Sequence, residues 1–195
     1  MESAGISAEG WLERLAQLAV RDGTHLGTLR ERDPRDFELV LASAALFLPT
    51  GQLLTERAAN ERLSEFLGSA GAMLATDHVE LRRWLADTGI VHRSDRGTDY
   101  RRGALPAWLA SAAEQLTAAQ LRDAVAAARS EQAQARAARK QAWIERRAAP
   151  IEVIDSVPPP IEQPDDDTYM RLAIDQACNA WALGEVPVGA VLVRD

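Results

Sequence analysis

Apolar positions along the chain recur mostly with helical spacing, broken once by a short stretch of β character. Over residues 7–22, Trp11, Leu12, Leu15, Leu18 and Ala19 fall on one face, and Ser7 stands where it can cap the first free N–H groups. Gly23 and Gly27 then predict a loop. Asp33-Pro34 opens a second helix, with Asp33 as cap and Pro34 in the first turn, where its missing N–H costs nothing. Its stripe is Phe37, Val40, Leu41, Ala44 and Ala45, and Pro49-Thr50-Gly51 ends it in a turn.

The next stretch has the clearest order. Leu53-Leu54 reads as a short strand. Thr55 caps a helix carrying Ala58, Ala59, Leu63, Phe66 and Leu67, which Gly68 closes. Asp77 and Glu80 form a capping box for a helix with core residues Val79, Leu81, Trp84 and Leu85, and Gly89 sits just past its end. Ile90 to Arg93 alternates like a strand, Ser94-Asp95-Arg96-Gly97 is a turn, and Thr98 to Arg102 returns as a second strand. Helix, turn, helix and hairpin is the order of a winged helix.

Residues 104–149 are alanine-rich and helical, with a second capping box at Thr117 and Gln120. The helix beginning there spans about 30 residues, or roughly 45 Å. Its later half carries Arg129, Arg136, Arg139, Lys140, Arg146 and Arg147 against Glu131 and Glu145, and its large apolar residues fade after Val125, so it is expected to project into solvent. From Pro150 to Asp167 there are five prolines and six acids without a base, the composition of a stiff, extended linker. Asp167 then caps a last helix through Met170, Ala173, Ile174, Ala177 and Trp181, which Gly184 ends. The apolar run up to Val193 suits a strand buried on both faces.

The expected fold class is therefore mostly α with small β. A helical and winged-helix-like domain covers residues 1–102, with its core at about 45–102. A helical spacer follows over 103–149, an acidic Pro-rich linker over 150–166, and a closing helix and strand over 167–195.

Composition changes this picture little. The chain is 47% hydrophobic and 26% charged, ordinary for a globular protein. A net charge of −7 does not advertise a phosphate-binding surface, although a local basic face is compatible with it. The single cysteine, Cys178, cannot form an internal disulfide and is expected to pack as a small hydrophobe. Neither a signal peptide nor an apolar run of roughly 20 residues is visible, so a cytoplasmic protein without a membrane partner is expected. The five tryptophans lie too far apart for a stacking platform and read as core or contact residues.

Candidate chemistry is sparse. His78-Val79-Glu80 spells His-x-Glu, but with no cysteine partner it reads as a helix start; His25 and His92 read as ordinary loop or strand residues. Arg82, Arg83, Arg93, Arg96, Arg101 and Arg102 are the candidates for phosphate contact, with the second helix in a groove and the hairpin on the backbone. The interleaved Glu80, Asp87, Asp95 and Asp99 allow the other reading, a merely solvated face. The basic helix from Arg129 to Arg147 carries the same two readings.

Two resemblances add to this. Val79 through Arg93, with Gly97 and Tyr100-Arg101-Arg102, resembles a bacterial helix-turn-helix-like family catalogued as domain of unknown function 2087, over roughly residues 45–102. Tyr169-Met170-Arg171-Leu172-Ala173, then Ala180-Trp181, then Glu185-Val186-Pro187-Val188-Gly189-Ala190-Val191-Leu192-Val193 resembles the opening helix and first strand of a tRNA adenosine deaminase. That family converts the wobble adenosine of tRNA to inosine, using a zinc-bound hydroxide and a proton-carrying glutamate.

The deaminase resemblance implies zinc as cofactor, tRNA as partner, and Glu185, Val186, Pro187 and Val188 as a wall of the substrate pocket. The family's His-x-Glu and Pro-Cys-x-x-Cys motifs lie downstream of this strand. Neither is present in a usable position, so these 195 residues are expected to be a truncated deaminase that binds no zinc and carries no catalytic residue. The alternative is a non-enzymatic module in residues 1–149 that contacts tRNA, DNA or a protein. Homodimerisation through the long helix is left open.

Overall fold

The computed structural model describes residues 5–94, 98–148, 165–182, 184 and 186–191. The described residues form mostly helix, with one small antiparallel sheet. They divide into two compact units, residues 1–131 and 132–195.

In the first unit, α1 (Ala8–Ala19) begins at Ser7, whose side chain accepts from the Gly10 N–H at 3.0 Å. Its buried residues, Trp11, Leu15 and Ala19, recur every fourth position. The expected loop after it is shorter than the glycines suggest, because α2 (Leu26–Arg32) occupies most of that span. Only Gly23 takes the left-handed turn, at φ +83°. Gly27 lies inside α2, where a glycine costs about 1 kcal/mol relative to alanine, and the burial of Leu26 offsets that cost.

The centre of the unit is α3 (Pro34–Ala45), started by the Asp33 carboxylate accepting from the Asp36 N–H at 3.1 Å. Phe37 and every residue from Leu39 to Ala45 are buried, far more than one stripe. The polar side chains on this helix are each engaged. Asp36 takes two hydrogen bonds from Arg14, at 2.7 and 2.6 Å. Glu38 accepts from the Trp108 indole at 2.6 Å. Ser43 accepts from the Trp11 indole at 2.8 Å and donates to the Leu39 carbonyl at 2.7 Å.

A second layer follows in the order β1 (Leu54–Thr55), α4 (Glu56–Leu67), α5 (His78–Asp87), β2 (Val91–Arg93) and β3 (Asp99–Arg102). The strand last in the chain lies in the middle, giving the order β1-β3-β2. Tyr100 of β3 faces Leu54 on one side and Arg93 on the other, and His92 faces Arg101. Thr55 caps α4 as expected, accepting from the Ala58 N–H at 3.3 Å. Gly68 ends α4 with φ −77°, so it is not the left-handed cap its position suggests. Gly71 permits a close approach instead: a Cβ there would stand 2.4 Å from the Phe66 ring. Gly89 turns the chain out of α5 at φ +73°.

Two further helices complete the run. α6 (Ala107–Ala113) is separate from α7 (Ala118–Ala148), so the alanine-rich stretch is broken once. The break ends at a reciprocal box: Thr117 accepts from the Gln120 N–H at 3.3 Å, and Gln120 accepts from the Thr117 N–H at 2.9 Å. α7 is 31 residues long; Leu121 and Val125 are buried, whereas residues 133–142 are all exposed.

The second unit contains the rest of α7 from Gln132 and α8 (Asp166–Ala182). The linker expected over 150–166 lies almost wholly outside the described residues. Asp165, not Asp167, caps α8, accepting from the Thr168 N–H at 2.9 Å. No residue of α8 is buried: Met170, Leu172 and Ile174 are exposed, Trp181 is 73% exposed, and Cys178 is exposed rather than packed. Gly184 ends the helix at φ +76°, as its position suggests.

Residues 186–191 form no strand, contrary to the expectation for the closing apolar run. A central strand exists only where neighbours satisfy its backbone. The three-stranded sheet formed by the described residues pairs β1, β2 and β3 among themselves and takes in none of this segment.

Two substitutions test the core. Ser43→Ala, which strands the buried Trp11 indole N–H, is expected to cost about 1–3 kcal/mol. Leu81→Ala is expected to cost about 2–5 kcal/mol. Urea unfolding checks both values; neutral effects would show that the two positions are not packed as described.

Candidate functional site

Of the two basic stretches that the sequence offers, the first lies on α5 and the β2–β3 hairpin. α5 begins at Asp77, whose carboxylate accepts from the N–H groups of Val79 at 2.9 Å and Glu80 at 2.8 Å. Those bonds, chiefly the one from Glu80, hold the Asp77 carboxyl below its ordinary pKa. Glu80 does not return to the Asp77 backbone, as a full box requires. Its carboxylate accepts from the Thr76 hydroxyl at 2.7 Å and the Trp84 indole at 3.4 Å.

The six arginines do not act alike. Arg82 faces inward, its side chain 12% exposed. It pairs with Glu56 at 2.9 Å, donates to Asn60, and lies 5.0 Å from the centre of the Tyr100 ring. It ties α4 and α5 to the central strand and has little left to offer a phosphate. Arg102 is partly buried and donates to the Thr50 hydroxyl at 3.3 Å; desolvation lowers its pKa from the ordinary guanidinium value, as expected for a cation taken out of water.

Arg83, Arg93 and Arg101 are exposed. Arg93 also lies over Tyr100, at 5.9 Å from the ring centre. Arg101 sits opposite His92 across the hairpin. Arg96 lies outside the described residues. The solvent side of α5 carries Asp77, Glu80 and Asp87 beside Arg83, so the helix expected to read a groove presents three acids and one base.

His78 belongs to the first turn of α5, and among the described residues no three of His, Cys, Asp or Glu converge to hold a metal ion. No described helix is long and apolar enough to cross a membrane. Glu185 lies outside the described residues, while Val186, Pro187 and Val188 are exposed to solvent.

One feature is not signalled by any motif. A cleft of about 710 Å³ opens between α1, α2 and the start of α3, with Arg14, Arg21, His25, Arg32 and Asp36 among its lining residues. It depends on α2, which the glycine spacing hides. Asp36 is engaged by Arg14, and Asp22 at the rim pairs with Arg129, so most of its charge is already compensated.

Residues 31–102 match the model of a family described as an uncharacterized protein conserved in bacteria, domain of unknown function 2087. The match begins in α2 and ends with β3, so it takes in α3, upstream of the start at about residue 45 that the motif alone suggests. It does not reach α8. No curated protein and no solved structure matches the chain.

Two measurements follow from this geometry. Arg82→Ala leaves Glu56 without its ion-pair partner and is expected to destabilise by roughly 1–3 kcal/mol, whereas Arg83→Ala stays within about 0.5 kcal/mol; thermal melts separate them. Asp77 contributes stability in full above the unfolded carboxyl pKa and loses it as pH falls through the lower folded value. The stability gap between the native protein and Asp77→Asn is therefore expected to close between about pH 6 and pH 2, and a gap independent of pH would contradict the role of the charge.

Proposed function

We propose that residues 167–195 are the opening of a tRNA adenosine deaminase domain, and that the protein to which they belong converts adenosine to inosine in tRNA. One observation carries this reading: Glu185-Val186-Pro187-Val188-Gly189-Ala190-Val191 follows a helix ending in Ala180-Trp181. The placement of α8, which runs from Asp166 to Ala182 before Gly184 turns the chain, is compatible with it. So is the exposure of Val186 and Val188, because the strand expected there needs neighbours that these residues do not find among themselves. In this reading Glu185 through Val188 would border the substrate base only in a completed domain.

The reading is tested by determining the gene sequence beyond codon 195 and translating all three frames. It predicts a His-x-Glu motif and a later Pro-Cys-x-x-Cys motif; their absence from every frame would refute it. A polypeptide of these 195 residues alone is predicted to hold no zinc by elemental analysis and to form no inosine in tRNA.

A second reading concerns residues 31–102. The order α3, β1, α4, α5, β2, β3 with β3 central is that of a winged helix, which supports a binding module. Two observations favour a protein contact over sequence reading of DNA. The solvent side of α5 is acidic on balance, and residues 68–77 between α4 and α5 are longer than the 3–4-residue turn of a DNA-reading helix-turn-helix. This reading predicts no salt-sensitive binding of duplex DNA through this domain, checked by anisotropy at low ionic strength; Arg83→Ala or Arg101→Ala weakening such binding would overturn it.

A further inference from the structure

Residues 133–142 of α7 are exposed, and the charge on this stretch is sided. Arg136 and Lys140 are four residues apart and share one face, about 6 Å apart along the axis, with Arg139 flanking them. Glu131 and Glu145 lie five or nine residues from each of these two, which puts them roughly 140–180° around the helix. Glu145 is engaged on that far side by the Gln141 amide at 3.0 Å.

The same helix shows what a structurally employed arginine looks like. Arg122 pairs with Glu65 and Arg129 pairs with Asp22. Arg136, Arg139 and Lys140 are exposed and make no ion pair with a described residue. In sequence the run continues to Arg146 and Arg147. Three cations held by a regular helix, with both acids on the far side from Arg136 and Lys140, are complementary to closely spaced phosphates, despite the net charge of −7 over the chain.

We propose that this face of α7, centred on Arg136, Arg139 and Lys140, binds the phosphate backbone of structured RNA, with tRNA as the ligand. The choice of RNA rests on the deaminase reading of residues 167–195; the basic face itself does not. The arginine-to-phosphate contacts position the RNA without reading its sequence. This assigns to the helical segment between the family-matched domain and α8 the task of holding the tRNA.

The test uses the 195-residue chain and an unmodified tRNA transcript carrying a fluorophore, with anisotropy followed from about 50 to 200 mM salt. The native chain is expected to bind with salt-dependent affinity. The triple variant R136E/R139E/K140E is expected to lose at least about tenfold in affinity at the low end of this range, and the slope of log K against log salt is expected to fall by about 2 for three lost cations. R136Q/R139Q/K140Q, which preserves helix propensity, should fall between the two, with far-UV circular dichroism confirming that α7 is intact. E131Q/E145Q should bind at least as well as the native chain.

No binding by the native chain, or equal binding by a triple variant with intact helix, overturns the proposal. Equal affinity for a duplex DNA of the same length overturns the assignment to RNA. Since the readout is binding, not inosine, it is separate from the deaminase reading: motifs found beyond codon 195 with an unaffected triple variant would sink only the basic face, and the reverse pattern would sink only the deaminase assignment.

Discussion

Everything in the first unit depends on burying α3 from all sides. A helix with one apolar stripe can sit on a surface, but Phe37 and Leu39 through Ala45 leave no face for water. Such a helix is stable only if its polar side chains find partners, because each unsatisfied group would cost about 1–3 kcal/mol. The partners come from elements far away in sequence: Arg14 and Trp11 from α1, Trp108 from α6. Hydrophobic burial thus draws the elements together, and the two indoles and one guanidinium fix how they pack. No buried side-chain nitrogen or oxygen among the described residues lacks a partner.

The same constraint decides how the hairpin and α5 use two of their arginines. Tyr100 is buried in the central strand, and two of the six arginines lie over its ring. Arg82 spends its remaining donors on Glu56 and Asn60. A guanidinium that holds α4, α5 and β3 together stabilises the domain, but it is withdrawn from solvent in doing so. Arg83 and Arg101 stay exposed on this surface, and Arg136, Arg139 and Lys140 are exposed on α7, outside the family match.

Capping signals in the sequence held at five helix starts, whereas α8 is capped two residues before the Asp167 that the sequence suggests. Ser7, Asp33, Thr55, Asp77 and the Thr117–Gln120 pair all cap as their side chains suggest. The hairpin was legible from alternation around residues 90–102. α2 was not, because His25 offers no side-chain cap and Gly27 reads as a breaker; its stability comes from burying Leu26, a tertiary effect. The closing apolar run failed for a related reason: strand identity belongs to a pair of segments, and apolarity alone cannot supply the second. Composition counts charges without seeing which are already paired, so the inward turn of Arg82 could not be read from the six arginines alone.

The two units rest on different foundations. The first has a continuous core, whereas α8 has no buried residue and, at 17 residues, is near the length at which a helix in water is only marginally stable. Amide hydrogen exchange on the 195-residue chain tests this contrast most directly. Amides of Leu39 to Ala45 should exchange only by global unfolding, and those of α8 should exchange orders of magnitude faster. Protection of α8 equal to that of α3 would contradict the account, since it would require a core that includes Met170, Ile174 and Trp181.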